Sequence, residues 1–161
     1  MTEYSKLSAQ ENSIHKALAA FFKSMLEKNV VDAVLAPAHQ SPKGVMQTLV
    51  SDPESLDRID PFAPIVPMSS AKLVTRLTNV PSGRPVAVVL RSCEIRALLE
   101  LVKLKQANVD DLVLIGIDCL GRYENADYLK YEQSGATTED FLKAACGDKG
   151  TKSAEGFDVA G

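Results

Sequence analysis

Two of the three cysteines of this chain, Cys93 and Cys119, occupy equivalent places in the sequence. Val86-Ala87-Val88-Val89-Leu90 precedes Arg91-Ser92-Cys93, and Leu112-Val113-Leu114-Ile115-Gly116-Ile117 precedes Asp118-Cys119. Continuous apolar runs of this kind mark strands buried on both faces. Between them Ile95, Leu98, Leu99 and Val102 repeat at helical spacing, which predicts a helix from Glu94 to Ala107 with Asn108 as its stop. A strand–helix–strand crossover makes its two strands parallel and is nearly always right-handed. Both cysteines are therefore expected on one edge of the sheet, the edge where open α/β sheets bind ligands.

The chemistry available to such a pair follows from its surroundings. Cys93 falls in the first turn of the predicted helix, where unpaired amides and the positive end of the dipole favour a thiolate. Arg91 and Arg96 add positive charge nearby. A metal ligand and a nucleophile both need that polarity; the plainer alternative is two small hydrophobes at strand ends. Arg91 sits just before a helix N-terminus, where phosphates bind readily, and its planar fork suits a pyrophosphate as well as solvent. Cys146, beside Gly147 at the end of an amphipathic stretch, reads as a core or cap position. His15 and His39 have no cysteine or carboxylate at ligand spacing and read as structural or solvated, and Asp118 reads as a turn-forming side chain. There is no Gly-x-Gly-x-x-Gly, P-loop, His-Glu-x-x-His or Gly-x-Ser-x-Gly.

The elements that must carry these residues follow from patterning. Ser8-Ala9-Gln10-Glu11 has capping-box spacing, and Ile14, Leu18, Phe21, Phe22, Met25 and Leu26 form an apolar helical stripe that stops near Asn29. Val31 to Ala36 reads as a short buried strand closed by Pro37, and Gly44 to Val50 as a second strand. Residues 51 to 67 contain four prolines but also Ile59, Phe62, Ile65 and Val66, too apolar for a tether, so an ordered loop packed across the domain is expected. Ser69 or Ser70 caps a helix to about Thr78, and Asn79 to Pro85 is a turn. A polar segment runs from Gly121 to Gly135, Thr137 or Thr138 caps a helix through Ala145, and a glycine-rich stretch closes the sequence. The expected architecture is a single α/β domain over residues 1–161, with a buried, partly parallel sheet containing a β-α-β unit flanked by helices.

Composition narrows the function. With 161 residues, 45% of them hydrophobic, one domain with a real core is expected. A net charge of −3 with interspersed signs, and no tryptophan, argues against a nucleic-acid surface. No apolar run approaches the length of a membrane span, and the N-terminus lacks the pattern of a signal peptide, so a reducing cytoplasm and unpaired thiols are expected.

The segment from Arg84 to Tyr128 resembles the beta subunits of deazaflavin-dependent hydrogenases and dehydrogenases. Val86 to Leu98, with Arg91-Ser92-Cys93-Glu94-Ile95-Arg96 at its centre, is similar to that family's strand, proline-cysteine, helix element; serine stands here in place of the proline. Leu112 to Cys119 resembles its next strand ending in cysteine, and Glu155 to Gly161 resembles the approach to a Cys-x-x-Cys pair. The variant looks most like the formate-dehydrogenase branch. The resemblance implies an iron–sulfur flavoprotein holding a 4Fe-4S cluster and FAD. Cys93 and Cys119 would bind iron, and Arg91 with Ser92 would face the flavin phosphate. It further implies an electron-transfer subunit, the N-terminal portion of a longer chain. Its partners would be other redox subunits and a deazaflavin coenzyme or ferredoxin, in hydrogenase, formate-dehydrogenase or heterodisulfide-reductase-type complexes. The rival readings are a non-catalytic assembly subunit that kept the fold and lost its cofactors, and a thiol enzyme using Cys93, for which no histidine signal is present.

Overall fold

The computed structural model describes residues 13–40, 44–80, 83–146 and 159–160. Helix α1 (Ile14–Glu27) starts at Ser13, whose hydroxyl accepts from the Lys16 amide, and buries Ala17, Phe22, Met25 and Leu26 along the expected stripe. The proposed capping box at Ser8 to Glu11 lies outside the described residues. Asn29 ends α1 in the left-handed region at φ 53°, with the Val30 amide on the Met25 carbonyl and the Asn29 amide on that of Leu26. This is the paired closure that satisfies a helix's last carbonyls.

Strands β1 (Ala33–His39) and β2 (Val45–Val50) form an antiparallel hairpin. Pro37 lies within β1, opposite Gln47, rather than closing it. The third sheet strand pairs only with Ala33–Leu35, so Pro37 has β2 as its single strand neighbour and no central ladder needs its missing N–H. Residues 51–67 cross the domain as an ordered segment containing a 3-10 helix at Pro53–Arg58, with Leu56, Ile59, Ala63 and Ile65 buried.

Helix α2 (Ser70–Thr78) leads to β3 (Val86–Arg91), buried along its whole length, then α3 (Ser92–Lys103) and β4 (Leu112–Ile117). The sheet order is β2-β1-β3-β4, with β1–β3 and β3–β4 parallel. Helix α3 is shorter than its apolar spacing suggests. Lys105, at φ 57°, turns the chain while its amide and that of Gln106 reach the Val102 and Leu101 carbonyls, the same closure as in α1. Strand β4 departs from expectation in another way. It is an edge strand, half-buried, with Leu114 38% exposed, because nothing in the described residues lies beyond it.

Alternation along the strands divides the core. Val34, Ala36, Ala87 and Val89 meet α1 and Leu56 on one face; Leu35, Val88 and Leu90 meet Val74 of α2 and Leu98 of α3 on the other. Full burial of each Val or Leu contributes about 1.5–3 kcal/mol. A third cluster joins Tyr123 of β5 (Arg122–Tyr123) to Tyr128 and Tyr131 of α4 (Asn125–Gln133) and Phe141 of α5 (Thr138–Ala145). Helix α4 falls in the segment read from sequence only as polar. Its only buried residues are the two tyrosines, too few for a recognisable stripe. Strand β6 (Val159–Ala160) pairs antiparallel with β5. No described helix is long and apolar enough to cross a membrane.

Candidate functional site

The register of the parallel pair decides where the two cysteines go. Arg91 stands opposite Ile117 at the ends of β3 and β4. The chain turns into α3 at Ser92, making Cys93 its second residue, while Cys119 lies just past the end of β4. Both are free and exposed, and both line one cleft of about 620 Å³, with Val66, Arg91, Glu94 and Arg122 among its other walls. The strand ends and the helix start thus bring the two candidate ligands to one opening. Cys146 is exposed at the C-cap of α5 and lies outside this cleft.

The floor of the cleft is held by buried polar groups. Arg91 is only 5% exposed; its Nη1 donates to the Ile65 carbonyl at 3.1 Å and its Nη2 to the Ala63 carbonyl at 2.5 Å. The side chain expected to face a phosphate therefore holds the 51–67 segment against the end of β3. Ser92 is exposed at the first position of α3. Glu94, also buried, accepts the Arg91 amide on Oε2 at 3.0 Å, and the Ser70 amide (3.1 Å) and hydroxyl (2.5 Å) on Oε1. Gln47 of β2 donates to the same hydroxyl at 2.6 Å. One carboxylate thereby fixes the starts of both α2 and α3.

A second assembly escaped sequence reasoning. His15 of α1 and His39 of β1 converge on Asp60, with Nε2 to Oδ1 at 2.9 Å and Nε2 to Oδ2 at 3.0 Å, and Thr138 of α5 donates to Oδ2 at 2.5 Å. An ionised carboxylate only accepts, so both imidazoles carry their proton on Nε2. Burial opposes the charge on Asp60, which is 4% exposed, but hydrogen bonds from His15, His39 and Thr138 outweigh it and hold the carboxyl well below the usual range. The hydrogen bond to Asp60 pushes His39 up, against burial and with help from the charges of Asp60 and Glu132. Burial raises Tyr128 and takes Tyr131 to about 12. These groups line a separate cleft of about 310 Å³. The partners are 45, 21 and 78 positions apart, so no local motif announces them. The described residues contain no group of three or more His, Cys, Asp or Glu arranged to hold a metal ion.

Comparison with known proteins agrees with the fold. No family model matches the chain. It is 28% identical over 126 residues to the F420-dependent formate dehydrogenase subunit beta of Methanocaldococcus jannaschii, covering 74% of this chain and 32% of that one. It is 31% identical over 110 residues to the F420-dependent formate dehydrogenase 1 subunit beta of Methanococcus maripaludis, covering 65% and 27%. The chain thus spans about a third or less of the length of these curated relatives. Its fold resembles a chain of the F420-reducing [NiFe] hydrogenase complex from Methanosarcina barkeri, with a TM-score of 0.53 and 16% identity over 88% of this chain and 49% of that one. By sequence the chain is similar to the beta subunits of F420-dependent formate dehydrogenases, and its fold is shared with a chain of the F420-reducing hydrogenase complex.

Proposed function

We propose that this chain is the N-terminal portion of an electron-transfer subunit in a multi-subunit redox complex. It would pass electrons between an iron–sulfur cluster and FAD or a deazaflavin carrier. The observation that carries the reading is the convergence of Cys93 and Cys119, two free thiols on one cleft beside a helix N-terminus. A 4Fe-4S cluster takes about four thiolates. The two cysteines fit half of that set, and the remaining ligands would come from further polypeptide or a partner subunit. When bound, the cluster and flavin supply the redox chemistry. The chain's own residues would hold the site: Glu94 fixes the start of α3, which carries Cys93, and Arg91, on the cleft wall, is anchored to the Ala63 and Ile65 carbonyls. Arg91 would lend positive charge near a flavin phosphate without its guanidinium leaving the Ala63 and Ile65 carbonyls, and Ser92 would offer the exposed hydroxyl.

The engagement of Arg91 inside the protein also supports a second reading, a subunit that kept the fold for assembly and lost its cofactors. Anaerobic reconstitution with iron and sulfide, followed by iron analysis and FAD titration, separates the two. Under the electron-transfer reading, iron binds to the wild-type chain in the presence of its complex partners and is lost in Cys93→Ser and Cys119→Ser but retained in Cys146→Ser. Equal iron content in all four proteins, or none in any, favours the assembly subunit.

A further inference from the structure

The two clefts are joined by one short piece of chain. At one end of residues 60–65, Asp60 takes the hydrogen bonds of His15, His39 and Thr138. At the other, the Ala63 and Ile65 carbonyls take those of Arg91. Between them the Pro64 carbonyl accepts the Tyr123 amide at 2.7 Å, next to Arg122 on the wall of the cysteine cleft, and the Asp60 amide reaches the Pro37 carbonyl at 2.8 Å. These backbone and side-chain bonds tie both ends of the six residues to the walls of the two clefts.

We infer that residues 60–65 form a proton-sensitive strap: protonation of His39 on Asp60 tightens the α5 contact and, through the strap, the wall of the cysteine cleft. Asp60 is ionised across the neutral range, so a neutral His39 already donates to it, and protonation adds an ion pair to the same bond. The other groups facing this cluster are Asp57 on the strap's own segment, Tyr128, Tyr131 and Glu132 on α4, and Glu139 on α5. No lysine or arginine is among the described residues lining that cleft, so only burial works against a positive charge on His39. His39 has its pKa raised on folding, so its contribution is complete below the ordinary histidine value of 6.5 and is lost as pH rises through the raised value. The device stands whether or not a cofactor occupies the cysteine cleft.

Hydrogen exchange resolved by peptide tests it, with rates corrected for intrinsic chemistry and referenced to β3 (Val86–Arg91) of the same sample. In the wild-type chain, peptides covering 59–67 and 137–146 should exchange about threefold more slowly near pH 6 than near pH 8.5. His39→Gln keeps a neutral donor and should bring that ratio close to one at both segments. A wild-type ratio near one, or a His39→Gln ratio equal to wild type, overturns the strap. A ratio that changes in 137–146 while 59–67 stays constant overturns the coupling between the clefts. Should His39→Gln loosen β3 as well, direct titration of the His39 ring in the wild-type chain decides instead: exchange at 59–67 must follow that titration curve, and failure to follow it overturns the inference.

Discussion

Glu94 and Ser70 meet at the point where α2 and α3 begin, and a single carboxylate oxygen takes both the amide and the hydroxyl of Ser70 while its twin takes the amide of Arg91. Two helix starts on different segments thereby share one anion. Glu94→Ala leaves buried donors without partners and should cost about 2–4 kcal/mol, read as a lower urea midpoint. Glu94→Gln keeps an acceptor and should cost less. Equal losses in the two variants would show that packing, not the hydrogen bonds, sets the contribution.

Arg91 is expected to act on the 51–67 segment before it acts on any ligand. Arg91→Lys cannot span the Ala63 and Ile65 carbonyls with a planar fork, so a cost of about 1–3 kcal/mol and faster proteolysis near residues 60–67 are expected. FAD titration of the same variant separates the roles: unchanged flavin affinity with a loosened segment confines Arg91 to positioning.

All three cysteines are free and exposed, so an unfolding-independent thiol reagent should modify three thiols rapidly in the folded chain. After iron and sulfide loading, Cys93 and Cys119 should be protected and Cys146 should not. Protection of Cys146 with the others would point to aggregation or non-specific metal.

Asp60→Asn gives the acid-side signature of the histidine cluster. The carboxyl pKa of Asp60 is lowered on folding, so its contribution is present above the ordinary aspartate value and lost as pH falls below it. The variant should therefore be less stable than wild type near neutrality, and the difference should shrink on acidification in thermal unfolding. A constant difference across the acid range would mean that the charge on Asp60 contributes nothing.

Much of the fold was legible because apolar periodicity reports burial directly. The β3–α3–β4 unit, the α1 stripe and the placement of Cys93 and Cys119 on one edge all follow from runs such as Val86 to Leu90. Helix ends were less legible: α3 stops at Lys103 because Lys105 adopts a left-handed turn, a choice made by hydrogen bonding rather than by apolar spacing. Strand β4 looked fully buried from composition, but edge position is a property of the sheet and not of the strand. The Asp60 cluster was invisible, since α1, β1, the crossing segment and α5 each supply one polar side chain with no pattern of its own. The role of Arg91 was hidden for the same reason: its carbonyl partners are backbone atoms 26 and 28 positions away.

The shortness of the β1–β3 ladder has a kinetic consequence. The β1–β2 hairpin closes locally, from His39 opposite Val45, and the β3–β4 pairing closes over a single crossover helix. The strand ladder between these two halves has three residue pairs, Ala33 to Leu35 with Val86 to Val88, which join positions far apart in the chain. Closing that loop carries the larger entropic cost, so formation of this ladder should limit the folding rate while the halves form early. Val34→Ala and Val88→Ala would then slow folding, whereas Val113→Ala on the outer strand would chiefly speed unfolding.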